Sequence, residues 1–301
     1  MVILVCGLIT EEPIKLLIEA LDDLGAEYHL IELEALCAKV SLRWQLCDQG
    51  ISGHLKIDGD VLDIQDINGV YHRFVNPEEI HSSLKEVSRC RSIIHSLLDL
   101  FDVLPARVVN RRRPMMSNNS KPYQSLLIRN AGFSIPDTII TNNPSTVMEY
   151  AAWNAPLIYK SISSVRSIVE SLDAESASRL KSIMNLPTQF QKKINGFNLR
   201  VHVIGEEAIG TRITTSAIDY RYAAQQGSSS NFKAYELPLN LTENCVKLAK
   251  LLQLDFVGID LMVNEDNVYC LEVNPSPGYS YYQKYTGQRI SEVLADYLMK
   301  A

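Results

Sequence analysis

The sequence predicts an α/β fold in two parts: a small N-terminal βαβ domain, then a larger α+β domain rich in strands. Three observations carry that expectation. The chain opens on VILVCGL, a continuous apolar run suited to a strand covered on both faces, and a helix-spaced segment and a second strand, YHLIEL, follow it. From Thr188 onward short apolar runs crowd together with polar turns between them. Near the C-terminus, FVGIDLMVNEDNVYCLEVNP reads as two strands joined by a polar turn at 264–267.

The helix after the first strand lies in EPIKLLIEALDDLG, where Ile14, Leu17, Ile18, Leu21 and Leu24 recur at helical spacing and Gly25 closes the C-cap. HLKIDGDVLDIQDINGVYHRF alternates and turns at Asp58-Gly59, which predicts a hairpin feeding another strand. A helix over SSLKEVSRCRSIIHSLLDLF closes the first domain, 1–105, at Leu104-Pro105. In the second domain, 106–301, Asn118 to Ser120 cap a helix running to Ala131 and ended by Gly132. TIITN is a short strand, Pro144 to Trp153 a helix, and APLIYK a strand. The Ser-rich, weakly apolar stretch 161–185 predicts a loop plus an exposed helix. TQFQKKI, NLRVHVIG and EAIGTRITT are strands, with a polar loop near QQGSSSN. A helix from Glu243 to Leu252 precedes the C-terminal hairpin, and the last helix spans Ile290 to Met299.

Of the 301 residues 46% are hydrophobic and 21% charged, with a net charge of −6. This is the balance of a soluble globular chain with no global attraction to polyanions, so nucleic acid is not an expected partner. No run approaches the roughly 20 apolar residues that cross a bilayer, so neither is a membrane. The opening residues lack a basic leader and turn acidic at Glu11 and Glu12; they read as a strand, and a cytoplasmic location is the default. Six cysteines, Cys6, Cys37, Cys47, Cys90, Cys245 and Cys270, are scattered without a CxxC pair, which argues against a disulfide framework and a zinc site.

The densest chemistry sits in the C-terminal hairpin, with Asp260 on its first strand and Glu272 and Asn274 on its second. Residues i and i+2 share a strand face, so Glu272 and Asn274 project together and Asp260 joins them if the register permits. Two carboxylates and an amide carbonyl are hard oxygen donors of the kind magnesium takes alongside phosphates and water. Apolar residues precede both acids, so they emerge from a buried sheet, where unpaired carboxylates are costly without a cation. The competing reading is a solvated hairpin; ExNP after an apolar strand argues against it. Lys160 ends an apolar strand and Lys121 starts a helix, each a compact charge suited to polyphosphate; alone, each is an ordinary surface residue. Arg200, Arg212 and Arg221 lie in strand-like segments, where they either face solvent or neutralise charge on a transferring phosphoryl group.

In this order the features resemble the ATP-grasp superfamily, and within it the RimK-like ligases, over residues 106–301. The resemblance implies a pre-ATP-grasp domain over 1–105, then an ATP-grasp fold of two subdomains, 106–187 and 188–301. It implies that Asp260, Glu272 and Asn274 hold two magnesium ions, with manganese as an alternative, and that Lys121 and Lys160 touch the phosphates of ATP. FQKKI is similar to the hinge strand whose backbone pairs with adenine, near Gln191, Lys193 and Ile194. NLR resembles the family's Asp-hydrophobic-Arg, which makes Asn198 the ribose-side residue and Arg200 a phosphate or acyl-phosphate ligand. Asp219-Tyr220-Arg221 resembles Asp-aromatic-Arg and implies a nucleotide or active-site contact from Arg221. Lys192 departs from the usual hinge acid and Asn198 from an Asp, both at the adenosine end. Ser161 to Ser164 occupy the place of a phosphate-covering loop but lack its glycines. VYHRF, GFSIPDTIITNNP and IDYR are similar to the ligases that crosslink side chains of ribosomal peptides, the microviridin or graspetide group. SPGYSYYQKYTG departs from that group's usual Asn-Pro-Ser-Gly-Gln continuation.

The implied activity is ATP-dependent ligation: a carboxylate attacks the γ-phosphate, and an amine or hydroxyl displaces phosphate from the acyl-phosphate. The expected partner is a small molecule or peptide bearing a carboxylate, a ribosomal peptide precursor among them; homo-oligomerisation is left open. His29, His54, His72, His81, His95 and His202 are dispersed, and no Ser-His-Asp or Cys-His nucleophile is required. Tyr279, Tyr281, Tyr282 and Tyr285 either line a peptide groove or pack. Two rivals stand beside the ligase: an ATP-binding regulator without turnover, and a small-molecule kinase on the same fold. Substrate-dependent ATP consumption separates the ligase from the first, and release of inorganic phosphate from the second.

Overall fold

A computed structural model describes residues 2–162, 169–215, 220 and 229–300. The chain opens with β1 (Val2–Gly7), α1 (Glu12–Asp23) and β2 (Glu27–Glu32), a βαβ unit whose strands run parallel. A short α2 (Leu36–Lys39) leads into an antiparallel three-stranded sheet, β3 (Val40–Cys47), β4 (Gly50–Ile57) and β5 (Asp60–Asp63). Asp58 and Gly59 both take positive φ, 51° and 103°, as the two-residue hairpin turn between β4 and β5 demands. β6 (Ile67–His72), α3 (Leu84–Val103) and β7 (Arg107–Val109) complete the domain, and the parallel sheet runs β2-β1-β6-β7.

Two expectations change here. β7 belongs to the first sheet, so the first domain reaches residue 109 and not 105; three residues after a proline carry no periodicity to announce a strand. Cys37 on α2 and Cys90 on α3 are joined in a disulfide, their Cα atoms 5.7 Å apart. Packing of α2 on α3 brings them together across 53 residues, a pairing no local spacing encodes.

The middle of the chain contributes α4 (Arg112–Met115), α5 (Lys121–Asn130), β8 (Thr138–Thr141), α6 (Pro144–Asn154), β9 (Leu157–Ser161), β10 (Glu170–Ser171), α7 (Ala174–Ser178) and β11 (Thr188–Lys192). Their strands form a small antiparallel sheet, β10-β9-β11-β8, with Val147, Leu180 and Phe190 as its core. The last third holds β12 (Phe197–Ile204), β13 (Glu207–Thr215), β14 (Ser230–Tyr235), α8 (Leu239–Leu251), β15 (Phe256–Val263), β16 (Val268–Asn274), α9 (Ser280–Thr286) and α10 (Ile290–Met299). These strands make a five-stranded antiparallel sheet in the order β14-β13-β12-β15-β16. One face buries Leu199, Val201, Val203, Val257, Ile259 and Leu261 against α8. On the other face Ile204 and Phe256 share a core with α10, whose Ile290, Leu294 and Leu298 meet Ile14, Leu17 and Leu21 of α1. The C-terminal helix thus returns to the first domain. Among the described residues, no helix is long and apolar enough to cross a membrane.

Candidate functional site

The ladders of the large sheet put the acids where the hairpin pattern predicted. Asp260 stands directly opposite Glu272, Gly258 opposite Asn274, and Arg200 of β12 opposite Asp260 on its other side. Residues directly opposed in a ladder share a face, so Arg200, Asp260, Glu272 and Asn274 all rise from one side. That side is the one α8 does not cover.

In the small sheet Lys160 is paired with Gln189, and Ile158 with Gln191. Lys160 and Gln191 therefore share a face, while Tyr159 and Phe190 turn the other way and pack with their ring centroids 5.9 Å apart, tilted by 36°. Between the two sheets lies a cleft lined by Lys160, Gln191, Lys193, Ile194, Asn198, Asp260 and Glu272, walled by Pro136, Ile158, Leu199, Leu261 and Met262. The lining combines these charged groups with apolar side chains that supply a surface on which a planar ring can lie. At the hinge, the N–H groups of Lys192 and Lys193 donate to the Asp137 and Pro156 carbonyls at 3.0 and 2.8 Å, and the chain leaves the sheet after Lys192. Gln191 Nε2 donates to Thr138 Oγ1 at 2.9 Å, which fixes its side chain in the cleft wall.

Other predicted residues lie elsewhere. Arg200 is only 4% exposed and does not line the cleft: its Nη1 donates to Asp260 Oδ2 at 2.7 Å. Burial by itself would lower the Arg200 pKa, but Asp260, Tyr282 and Tyr220 outweigh it and hold the guanidinium charged. Arg212 is exposed and carried on the opposite face of the sheet, where its guanidinium sits 4.2 Å from the Phe197 ring centroid; it does not join the acids. Strand alternation explains the separation, because Arg212 pairs with Leu199 and not with Arg200. Lys121 is buried at the first turn of α5, outside the cleft lining. Asn274 borders a neighbouring cavity with His72, Arg73 and Asn118, and its Oδ1 accepts from the Ser276 N–H at 3.0 Å. Arg221 and Asp219 lie outside the described residues, as do Ser163 and Ser164.

The aromatic run divides. Tyr279 and Tyr282 are buried, whereas Tyr281 and Tyr285 are about half exposed and pack on each other and on Phe232.

Several residues that sequence reasoning passed over shape the site. Gln124, one helical turn beyond Lys121, clamps β16 between its two ligand positions: its Nε2 donates to the Val273 carbonyl at 2.8 Å and its Oε1 accepts from the Val273 N–H at 2.9 Å. Tyr220 donates to Asp260 Oδ1 at 2.8 Å. Gly258 leaves room for Arg200, since a Cβ built there would fall within the guanidinium. Asn110 is a buried tie between the domains: its Nδ2 donates to the Phe256 and Pro275 carbonyls, and its Oδ1 accepts from the N–H groups of Asp255 and Phe256. The asparagine in NRRR carried no signal of this, because its partners lie about 145 residues away.

The donor set fits a small, hard divalent cation. Two facing carboxylates with an amide oxygen beyond them offer only oxygen, and the neighbouring Cys270 pairs with Leu261 on the covered face. Among the described residues no group of three or more His, Cys, Asp and Glu converges on one point.

Residues 118–298 match the profile of the RimK-like ATP-grasp domain. A probable alpha-L-glutamate ligase of Parasynechococcus marenigrum is 26% identical over 206 residues, 64% of this chain but 44% of that protein, so the match spans under half the relative's length. Two solved structures share the fold over essentially the whole chain. One is the ATP-grasp ligase PsnB, complexed with a phosphomimetic variant of minimal precursor, Mg and ADP: TM-score 0.82, 22% identity, 99% of this chain and 97% of that one. The other is the macrocyclase MdnC bound with precursor peptide MdnA, from Microcystis aeruginosa: TM-score 0.81, 20% identity, 100% of both chains.

Proposed function

This chain belongs to the RimK-like ATP-grasp family, and from that premise we propose that it is an ATP-dependent ligase acting on a peptide through an acyl-phosphate. The observation that carries the reading is the cleft between the two sheets, which gathers a buried lysine, a hinge backbone and two facing carboxylates. Relatives named as ligases favour ligation over the regulator and the kinase, and the precursor peptides in the complexes of PsnB and MdnC favour a peptide substrate.

In this reading the apolar walls and the backbone past Lys193 receive adenine, Asn198 sits on the ribose side, and Lys160 and Lys121 bear on the phosphates. Asp260, Glu272 and Asn274 hold a pair of magnesium ions, for which manganese substitutes. Magnesium, when bound, screens the phosphate charge that otherwise repels an attacking carboxylate. Arg221 keeps the acyl-phosphate contact that its motif implies. The protein's own contribution is positioning and a preorganised field, a route that requires no covalent nucleophile from its side chains. An amine or hydroxyl of the bound peptide takes the acyl group, and inorganic phosphate leaves. The cytoplasm, where ATP and magnesium are at hand, is the proposed setting.

The test is phosphate release from ATP with magnesium across pools of amino acids and short peptides, wild type beside Glu272→Ala. Release that depends on one pool and disappears in the variant is the expected result. ATP bound tightly but never turned over with any carboxylate, or phosphate transferred to an alcohol with none released, would sink the ligase reading.

A further inference from the structure

Behind Asp260 the structure closes a polar ring for which the ligase reading has no use. Asp260 Oδ2 accepts from Arg200 Nη1 at 2.7 Å, and its Oδ1 accepts from the Tyr220 hydroxyl at 2.8 Å. A hydroxyl carries one proton, and Tyr220 has spent its own on the carboxylate. The 2.9 Å contact between Tyr220 and Tyr282 therefore runs the other way, with Tyr282 as donor. The Tyr282 ring in turn faces the Arg200 guanidinium, 5.7 Å from centroid to Cζ, and meets the His202 ring edge-on at 4.8 Å. Arg200, His202 and Tyr282 are all buried, and the ring is assembled from β12, β15, α9 and the segment between β13 and β14.

We propose that Tyr220 and Tyr282 are positioning residues that aim the Asp260 carboxylate and so set the cation affinity of the cleft. The inference rests on the reading of Asp260 as a metal-binding group. A carboxylate offers about four lone-pair sites, so two accepted hydrogen bonds fix its plane and still leave lone pairs for a cation. Ligands oriented in this way by hydrogen-bonded partners lose 10–100-fold in metal affinity or activity when a partner is removed. Tyr220 acts directly on the carboxylate. Tyr282 acts through Tyr220, because its donated proton strengthens the bond that Tyr220 makes, and through the face it presents to Arg200.

The measurement is Mn2+ binding, read by electron paramagnetic resonance on the full chain saturated with a non-hydrolysable ATP analogue. Wild type is compared with Asp260→Asn, Tyr220→Phe, Tyr282→Phe and Tyr279→Phe, with a thermal melt of each. Tyr220→Phe weakens Mn2+ binding about tenfold or more, Tyr282→Phe shifts it in the same direction, and the double variant falls short of the product of the two. Tyr279→Phe is the control for mere structure: it loses the buried bond from its hydroxyl to the Pro13 carbonyl, so its melting temperature falls while its Mn2+ affinity holds. Wild-type Mn2+ affinity in both Tyr220→Phe and Tyr282→Phe, with loss in Asp260→Asn, overturns the proposal and spares the metal reading. Wild-type affinity in Asp260→Asn overturns the metal reading itself.

Discussion

Replacing Gly258 by alanine tests how firmly Arg200 is held. A Cβ at Gly258 would fall within the guanidinium, and even Nε would lie only 2.7 Å away. On an exposed arginine such a clash relaxes into another rotamer at little cost. Here the side chain is 5% exposed, bonded to Asp260 at 2.7 Å, faced by Tyr282, and 3.5 Å from His202 Nε2. The guanidinium can leave the Cβ only by giving up the carboxylate. Breaking a buried ion pair costs about 3–5 kcal/mol, and alanine in place of a strand glycine returns about 0.4–1. A net loss of about 3 kcal/mol remains, which for a chain of this length lowers the melting temperature by roughly 5 °C. The decisive form of the assay is a cycle in urea unfolding: Gly258→Ala in the wild type and again in Arg200→Ala. With the obstruction removed, the alanine should cost nothing in the second background, which leaves a coupling of about 3 kcal/mol. A Gly258→Ala variant within about 0.5 kcal/mol of wild type, or one equally damaging in both backgrounds, refutes the picture of a fixed counter-charge.

Two further outcomes follow from the junction between the domains. His72 is buried with Nε2 at 2.7 Å from the Asn110 carbonyl, and burial pushes its pKa down to about 4. The unfolded chain takes up that proton near pH 6.5, so the stability tied to neutral His72 is complete above 6.5 and is lost as the pH falls towards 4. Between pH 7 and 5, His72→Asn should therefore lose about 2 kcal/mol less than wild type in urea unfolding, and parallel losses would exclude His72 as the group. Asn110→Ala strands two carbonyls and two N–H groups at about 1–3 kcal/mol for each group left dry. A destabilisation of at least about 3 kcal/mol is expected, with earlier proteolytic cleavage near residue 110; a smaller effect would mean that the interdomain tie is replaced from elsewhere.

What could be read from the sequence were features that repeat or alternate along the chain. The βαβ opening, the Asp58-Gly59 hairpin, the Ile290–Met299 helix and the facing acids of β15 and β16 all declare themselves through local period or turn chemistry. Lys160 and Gln191 were legible for the same reason, since apolar strands delivered them to one cleft face. Arg212 was misplaced because a strand pattern says which residues share a face but not which face a neighbouring strand presents. Its register against Leu199 exists only in three dimensions. VSLRWQLC of β3 alternates apolar and polar residues and was legible but passed over, whereas the Cys37–Cys90 link was not legible, because the cysteines meet only when α2 packs on α3. Tyr220, Gly258 and Gln124 do their work through partners 40, 58 and 149 residues distant, and sequence patterns of period 2 or 3.6 cannot carry such pairings.

The first domain is more than an appendage to the cleft. Arg73, the first residue past the end of β6 in VYHRF, reaches 203 and 204 residues ahead: its Nη1 approaches the Ser276 carbonyl, the Ser276 hydroxyl and the Pro277 carbonyl at 3.4, 3.2 and 3.1 Å, while its Nε holds Glu11 at 3.2 Å. Ser276 and Pro277 follow directly on Asn274 and Pro275, and the Pro275 carbonyl is already taken by Asn110 at 2.6 Å. Two residues at the carboxyl ends of parallel strands therefore hold the chain as it leaves the metal strand. A planar guanidinium can serve two acceptor directions at once, which an ammonium on a flexible stem does less well. The same exit segment goes on to Tyr279, packed among the residues of α1 and α10, and to Tyr282 in the ring behind Asp260. Arg73 and Asn110 thus hold the exit loop that leads into α9, and α9 brings Tyr282 to the ring behind Asp260. The departure of SPGYSYY from the usual continuation is, on this account, the part of the sequence that ties the acids of the cleft to the first domain.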